Sequence, residues 1–142
     1  GGSSTAVLSG ALAAGTNAIG DVGIQYRANA TGGATIKHIV AAATTNATNT
    51  KASAGRVVGW NLVNTTATFQ YVKLHNTAGA PTAGSGVVMT IAIPPNGVNS
   101  MPVGGGGIGF ATGIAYTIVT GSADADATAT TAGAVVGDLF YA

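Results

Sequence analysis

Arg56-Val57-Val58-Gly59-Trp60-Asn61-Leu62-Val63-Asn64, Thr65-Thr66-Ala67, and Thr68-Phe69-Gln70-Tyr71-Val72-Lys73-Leu74-His75-Asn76 form the stretch whose reading decides the fold class. Both outer runs alternate. In the first, Val58, Trp60 and Leu62 share a face; in the second, Phe69, Tyr71, Lys73 and His75 oppose Gln70, Val72 and Leu74. Successive side chains leave a pleated strand on opposite sides, so this pattern predicts two half-buried strands. The short link between them predicts a hairpin.

Working outward, strand character recurs on both sides. Upstream, Val22, Ile24 and Tyr26 alternate with Asp21, Gly23 and Gln25 within residues 19–26, and residues 34–42 (ATIKHIVAA) read as a further strand. Residues 43–55 are polar and predict a surface loop. Downstream, residues 87–93 (VVMTIAI) are the most continuous apolar run and predict a central strand. Pro94-Pro95-Asn96-Gly97 ends it, because Pro cannot donate to a ladder and Asn-Gly favours a turn. Residues 98–103, 108–110, 114–120 and 134–141 predict the remaining strands, with a polar loop over 121–133. The apolar C-terminal run should be tied into a sheet. The expectation is an all-β, antiparallel β-sandwich or jelly roll of eight or nine short strands over residues 19–142, preceded by an extended arm over residues 1–18.

Composition agrees. Of 142 residues, 23 Gly, 28 Ala and 20 Thr make up half the chain. Val, Ile and Thr total 43 β-branched residues against five Leu and no Glu, which favours a pleated surface over a helix. Only five Lys/Arg and four Asp are present, a net charge of +1, so the basic face that nucleic-acid binding requires cannot be built. Cys is absent, which excludes disulfides, thiolate metal sites and a cysteine nucleophile. No apolar stretch reaches the length of a membrane span. Gly1-Gly2-Ser3-Ser4-Thr5 lacks the basic region of a signal peptide, which predicts synthesis in the cytoplasm. So few charges predict a chain packed against neighbours.

The chemistry-bearing residues are sparse. Asp124-Ala125-Asp126 has two carboxylates of a calcium loop but lacks the remaining ligands, and it reads as a polar loop. Gly104 to Gly109 has no following Lys-Ser/Thr and no helix, so the phosphate-loop reading fails. His38 and His75 lie beside Lys37 and Lys73, and no nucleophile elbow accompanies them. Asp21, Asp124, Asp126 and Asp138 are the only carboxylate side chains available for paired-acid chemistry. The expectation is a non-enzyme without metal or cofactor. Asn29, Asn46 and Asn64 open glycosylation sequons, which nine Asn and 20 Thr produce by chance. Trp60, Tyr71 and Tyr116 are the candidates for a sugar-stacking platform, with core packing as the other reading of Trp60.

Several runs resemble structural proteins of tailed-bacteriophage virions: Val58-Gly59-Trp60-Asn61-Leu62-Val63-Asn64-Thr65-Thr66, Tyr71-Val72-Lys73-Leu74-His75-Asn76, Pro81-Thr82-Ala83-Gly84 and Ile91-Ala92-Ile93-Pro94. Gly107-Ile108-Gly109-Phe110-Ala111-Thr112-Gly113-Ile114 and Asp126 extend the likeness, which covers about residues 56–141. The resemblance implies a small capsid decoration (cement) protein on the outer surface of the virion, made in the host bacterial cytoplasm. Its implied partners are the major capsid protein and its own copies in a homotrimer, without nucleic acid or membrane. Val7, Leu8 and Leu12 of the arm are then the candidate contacts to a neighbour. The alternative is a tail or fibre module that binds host-surface glycan through Trp60, Tyr71 and Tyr116.

Overall fold

The computed structural model describes residues 33–104 and 106–142; the expected arm with Val7, Leu8 and Leu12, and the expected strand over 19–26, lie outside them. Among the described residues there are nine strands and no helix. They are β1 (Thr35–Val40), β2 (Thr48–Lys51), β3 (Gly55–Asn64), β4 (Gln70–Asn76), β5 (Val87–Ile93), β6 (Val98–Pro102), β7 (Ile108–Phe110), β8 (Ile114–Val119) and β9 (Val135–Tyr141). All pair antiparallel, in two sheets packed as a sandwich. The first has the order β1-β9-β3-β6, with β7 on the other end of β3; the second has the order β2-β8-β4-β5.

The pairings β4·β5, β3·β6, β2·β8 and β1·β9 are those of one long hairpin whose tip is the 77–86 loop. Rolling that hairpin up adds β3·β9 and β4·β8, which is jelly-roll wiring. It also corrects the expected hairpin over residues 56–76, because β3 and β4 lie in different sheets. Residues 65–69 are an arch between the sheets, and Asn64 builds it. Its amide nitrogen donates to the carbonyls of Thr68 (2.7 Å), Ile93 (3.1 Å) and Pro94 (3.1 Å). Its Oδ1 accepts from the N–H (2.9 Å) and hydroxyl (2.8 Å) of Thr66. The returning turn over 94–97 lies against this arch, joined by Asn96 N–H to Thr66 O and Asn64 N–H to Gly97 O, both 2.8 Å. Both arms of the long hairpin therefore bend at one place.

Three further expectations change. A bulge between Val57 and Gly59 shifts the parity of β3, so Val57 joins Trp60 and Leu62 in the core while Val58 is half-buried. Residues 87–93 form an edge strand instead of a central one: Ile91 and Ile93 are buried, and Val88, Thr90 and Ala92 are exposed. The inner, wholly buried strand of that sheet is β8. The 43–55 segment contains β2, whose residues Thr48-Asn49-Thr50-Lys51 carry no apolar side chain to announce a strand.

The core lies between the sheets. Ile39, Val57, Trp60, Leu62, Val135 and Leu139 of the first face Val72, Leu74, Ile91, Ile93, Ile114, Tyr116 and Ile118 of the second. The C-terminal strand β9 is interior to its sheet, as its apolar alternation predicts. Gly137 lets it come close: φ is +152°, and a Cβ there would collide with the carbonyl oxygen of Asn61 on β3.

Candidate functional site

The outer faces of the two sheets are built differently. On the second sheet, the outward residues of β4 and β8 include Lys73, His75, Ala115, Thr117 and Val119, none more than 2% exposed. Two loops cover them. Lys73 Nζ donates to the carbonyl of Ala123 and so anchors the 120–128 loop. Within that loop the Asp126 carboxylate accepts from Gly121 N–H (3.0 Å), Thr128 N–H (3.3 Å) and the Thr128 hydroxyl (2.8 Å). Burial pushes the Asp126 carboxyl up, but these hydrogen bonds and the Lys73 charge outweigh it, leaving it below its ordinary value. His75 Nε2 lies 3.0 Å from the Thr117 hydroxyl, beneath the 77–86 loop. The loops meet at Gly84 (φ +81°), where a Cβ would stand 2.7 Å from the Ala125 carbonyl oxygen.

On the first sheet the outward side chains form three rows across four strands. Val40, Val136, Val63 and Val98 stand in register from β1 through β9 and β3 to β6. His38, Asp138, Asn61 and Ser100 form the middle row, and Ile36, Phe140, Gly59 and Pro102 the third. Ile36 (62%), Val40 (59%) and Val98 (55%) are among the most exposed large apolar residues described. In the polar row His38 Nδ1 lies 2.8 Å from Asp138 Oδ1. With strands about 4.8 Å apart and rows about 6.8 Å apart, this face covers roughly 400 Å2. The two apolar rows make up about two-thirds of it, parted by the polar row, and the largest apolar patch on a typical monomer, of this order of size, is often functional.

The residues singled out from the sequence are scattered. Trp60 (3% exposed) and Tyr116 (5%) lie in the core, where a ring offers no face to a sugar. The Trp60 indole N–H donates to Asn99 Oδ1 (2.8 Å), while Asn99 Nδ2 donates to Ala92 O (2.9 Å), tying β6 to β5 across the sandwich edge. Tyr71 is half-buried on the outer face of β4 and pairs with Phe69, their centroids 6.1 Å apart and planes 21° from parallel. Phe69, 46% exposed, is the aromatic that the sequence reading left out of the platform. Asn64 of the third sequon is buried in the arch, and the Asn46 amide is spent on Ala42 and Thr44 carbonyls. Among the described residues no cluster of three His, Cys, Asp or Glu could hold a metal ion. The sequence analysis missed the three rows, because each row takes one residue from each of four strands far apart in the chain.

Compared with protein families, curated proteins and solved structures, the chain matches none.

Proposed function

We propose that this chain is a non-enzymatic structural protein that decorates the outer surface of a tailed-phage capsid, bridging neighbouring major capsid proteins. The observation that carries the reading is the outer face of the first sheet, bare among the described residues, with apolar rows of Val40, Val136, Val63 and Val98 and of Ile36, Phe140 and Pro102. A sheet face with exposed apolar rows on either side of a polar one is suited to burial against another protein surface. Jelly rolls serve viral capsid and lectin domains alike, so architecture supports a virion role without choosing it. Area adds a constraint. One such face is about half of the ~800 Å2 per partner in a standard interface, so a single copy binds weakly and a homotrimer gains its hold through avidity.

The test is co-sedimentation with capsids of the encoding phage assembled without this chain. The wild-type chain should bind, and Val63→Lys with Val98→Lys should abolish binding without lowering thermal stability. Binding that survives the double substitution, or fails for the wild type, overturns the reading.

The exposed Phe69–Tyr71 pair favours a second reading, in which the chain belongs to a tail or fibre and stacks host-surface glycan on these rings. Glycan-induced quenching of tyrosine fluorescence, lost in Tyr71→Ala, would select it.

A further inference from the structure

We propose that the loop cover over the second sheet is released by acid, with protonation of the His75 imidazole as the trigger. The inference is independent of what the first sheet docks against.

The geometry supplies the argument. His75 is 2% exposed and forms part of the wall of an open pocket of about 260 Å3 that Pro81, Thr82, Ser85 and Gly86 also line. Among the described residues its surroundings contain no counter-charge. Lys73 is its neighbour on the same face of β4 and is itself fully buried. From β8 it meets the Thr117 hydroxyl, opposite it on β5 is Val87, and the 77–86 loop has no charged side chain. In the 120–128 loop, Asp124 is exposed and Asp126 is already engaged by Gly121 and Thr128 while facing Lys73. An imidazolium here would therefore be a second buried cation beside the first. Burial holds the His75 ring below its ordinary value, and the Lys73 charge adds to this. The backbone of Gly86 and Ser85, which hydrogen-bonds the ring, opposes them and does not prevail.

An opened loop admits water to both cations and restores the ordinary proton affinity of the ring. Opening therefore takes up a proton. Its equilibrium constant rises as pH falls below about 6.5, by at most about tenfold per pH unit for one proton. Because Gly84 seats against Ala125, lifting the 77–86 loop also removes that contact from the neighbouring 120–128 loop, which Lys73 still anchors.

Hydrogen exchange, corrected for the intrinsic pH dependence of amide chemistry, tests this on the whole chain at pH 7.5 and 5.0. Protection over residues 80–86 should fall at the lower pH, by up to about thirtyfold for one proton, with β3 amides unchanged, and His75→Gln should remove the pH dependence. Equal protection at both pH values, or a loss retained in His75→Gln, overturns the proposal. Should that variant not fold, NMR titration of the His75 ring in the unmutated chain decides. A ring that titrates below pH 6.5, in step with shift changes in residues 80–86, supports the clasp, and titration at or above 6.5, or with the loop unmoved, overturns it.

Discussion

The two sheets of this sandwich share a core, yet among the described residues one is covered by loops and the other is left bare. The second sheet places a lysine, a histidine and a threonine on its outer face and hides them under residues 77–86 and 120–128. The first places valines, an isoleucine and a phenylalanine there and leaves them partly or largely in solvent. Hydrophobicity alone would have assigned the faces the other way round. The cover of the second sheet is held by hydrogen bonds, Lys73 reaching a loop carbonyl and Asp126 organising that loop, whereas the polar row of the first sheet spends its His38–Asp138 pair within the sheet. Among the described residues no loop lies over its apolar rows, which is why the proposed docking face is the first sheet.

The contrast can be broken most sharply by placing the same charge on each face. Thr117→Lys sets a second ammonium beside Lys73 in a fully buried position and should cost about 3–5 kcal/mol. Val98→Lys on the bare face should change stability by no more than about 0.5 kcal/mol. Urea unfolding of the two variants measures both, and equal losses would erase the distinction between covered and bare. A smaller effect is expected at the seam between the loops. Gly84→Ala forces a Cβ towards the Ala125 carbonyl at positive φ and should cost about 1–3 kcal/mol, seen as a lower Tm with faster exchange in both loops.

Acid sharpens the comparison further, because both shifted groups that help hold the cover weaken in the same direction. His75 is held below its ordinary value, so its contribution is complete above about pH 6.5 and is lost as pH falls below that. Asp126 is likewise depressed, so its share is present above about pH 3.8 and is lost as pH falls through its folded value. Thermal melts across pH 7.5 to 3 should show stability declining first in the histidine window and then in the carboxylate window. His75→Gln should remove only the first. The smallest effect belongs to the bare face. His38→Ala, breaking the exposed pair with Asp138, should cost no more than about 0.5 kcal/mol by the same unfolding assay.

Much of the fold was legible because strand parity is a local property. The alternation in residues 134–141 sets Val135, Gly137, Leu139 and Tyr141 on one face and Val136, Asp138 and Phe140 on the other, and the structure keeps that division with the first set turned inward. Where a bulge intervenes, as at Val57 to Gly59, parity slips and local reading puts Val58 where Val57 belongs. The candidate site was less legible. Trp60 and Tyr71 both occupy alternating strands, and nothing in that alternation says that one faces the core while the other stacks on Phe69 at the surface.

The amino-acid sequence by itself determined that this chain is all-β, where most strands begin and end, and which side chains in each share a face. Those properties follow from β-branched composition, glycine and proline punctuation, and a side-chain period of two, all set within a few residues. Only the tertiary structure decided that β3 and β4 part into different sheets, that the 87–93 run lies at an edge, and that four valines line up across one face. Each of these depends on pairing between segments tens of residues apart. That pairing is fixed by Asn64 bonding across two arches and by the rolling of one long hairpin, neither of which a local pattern encodes.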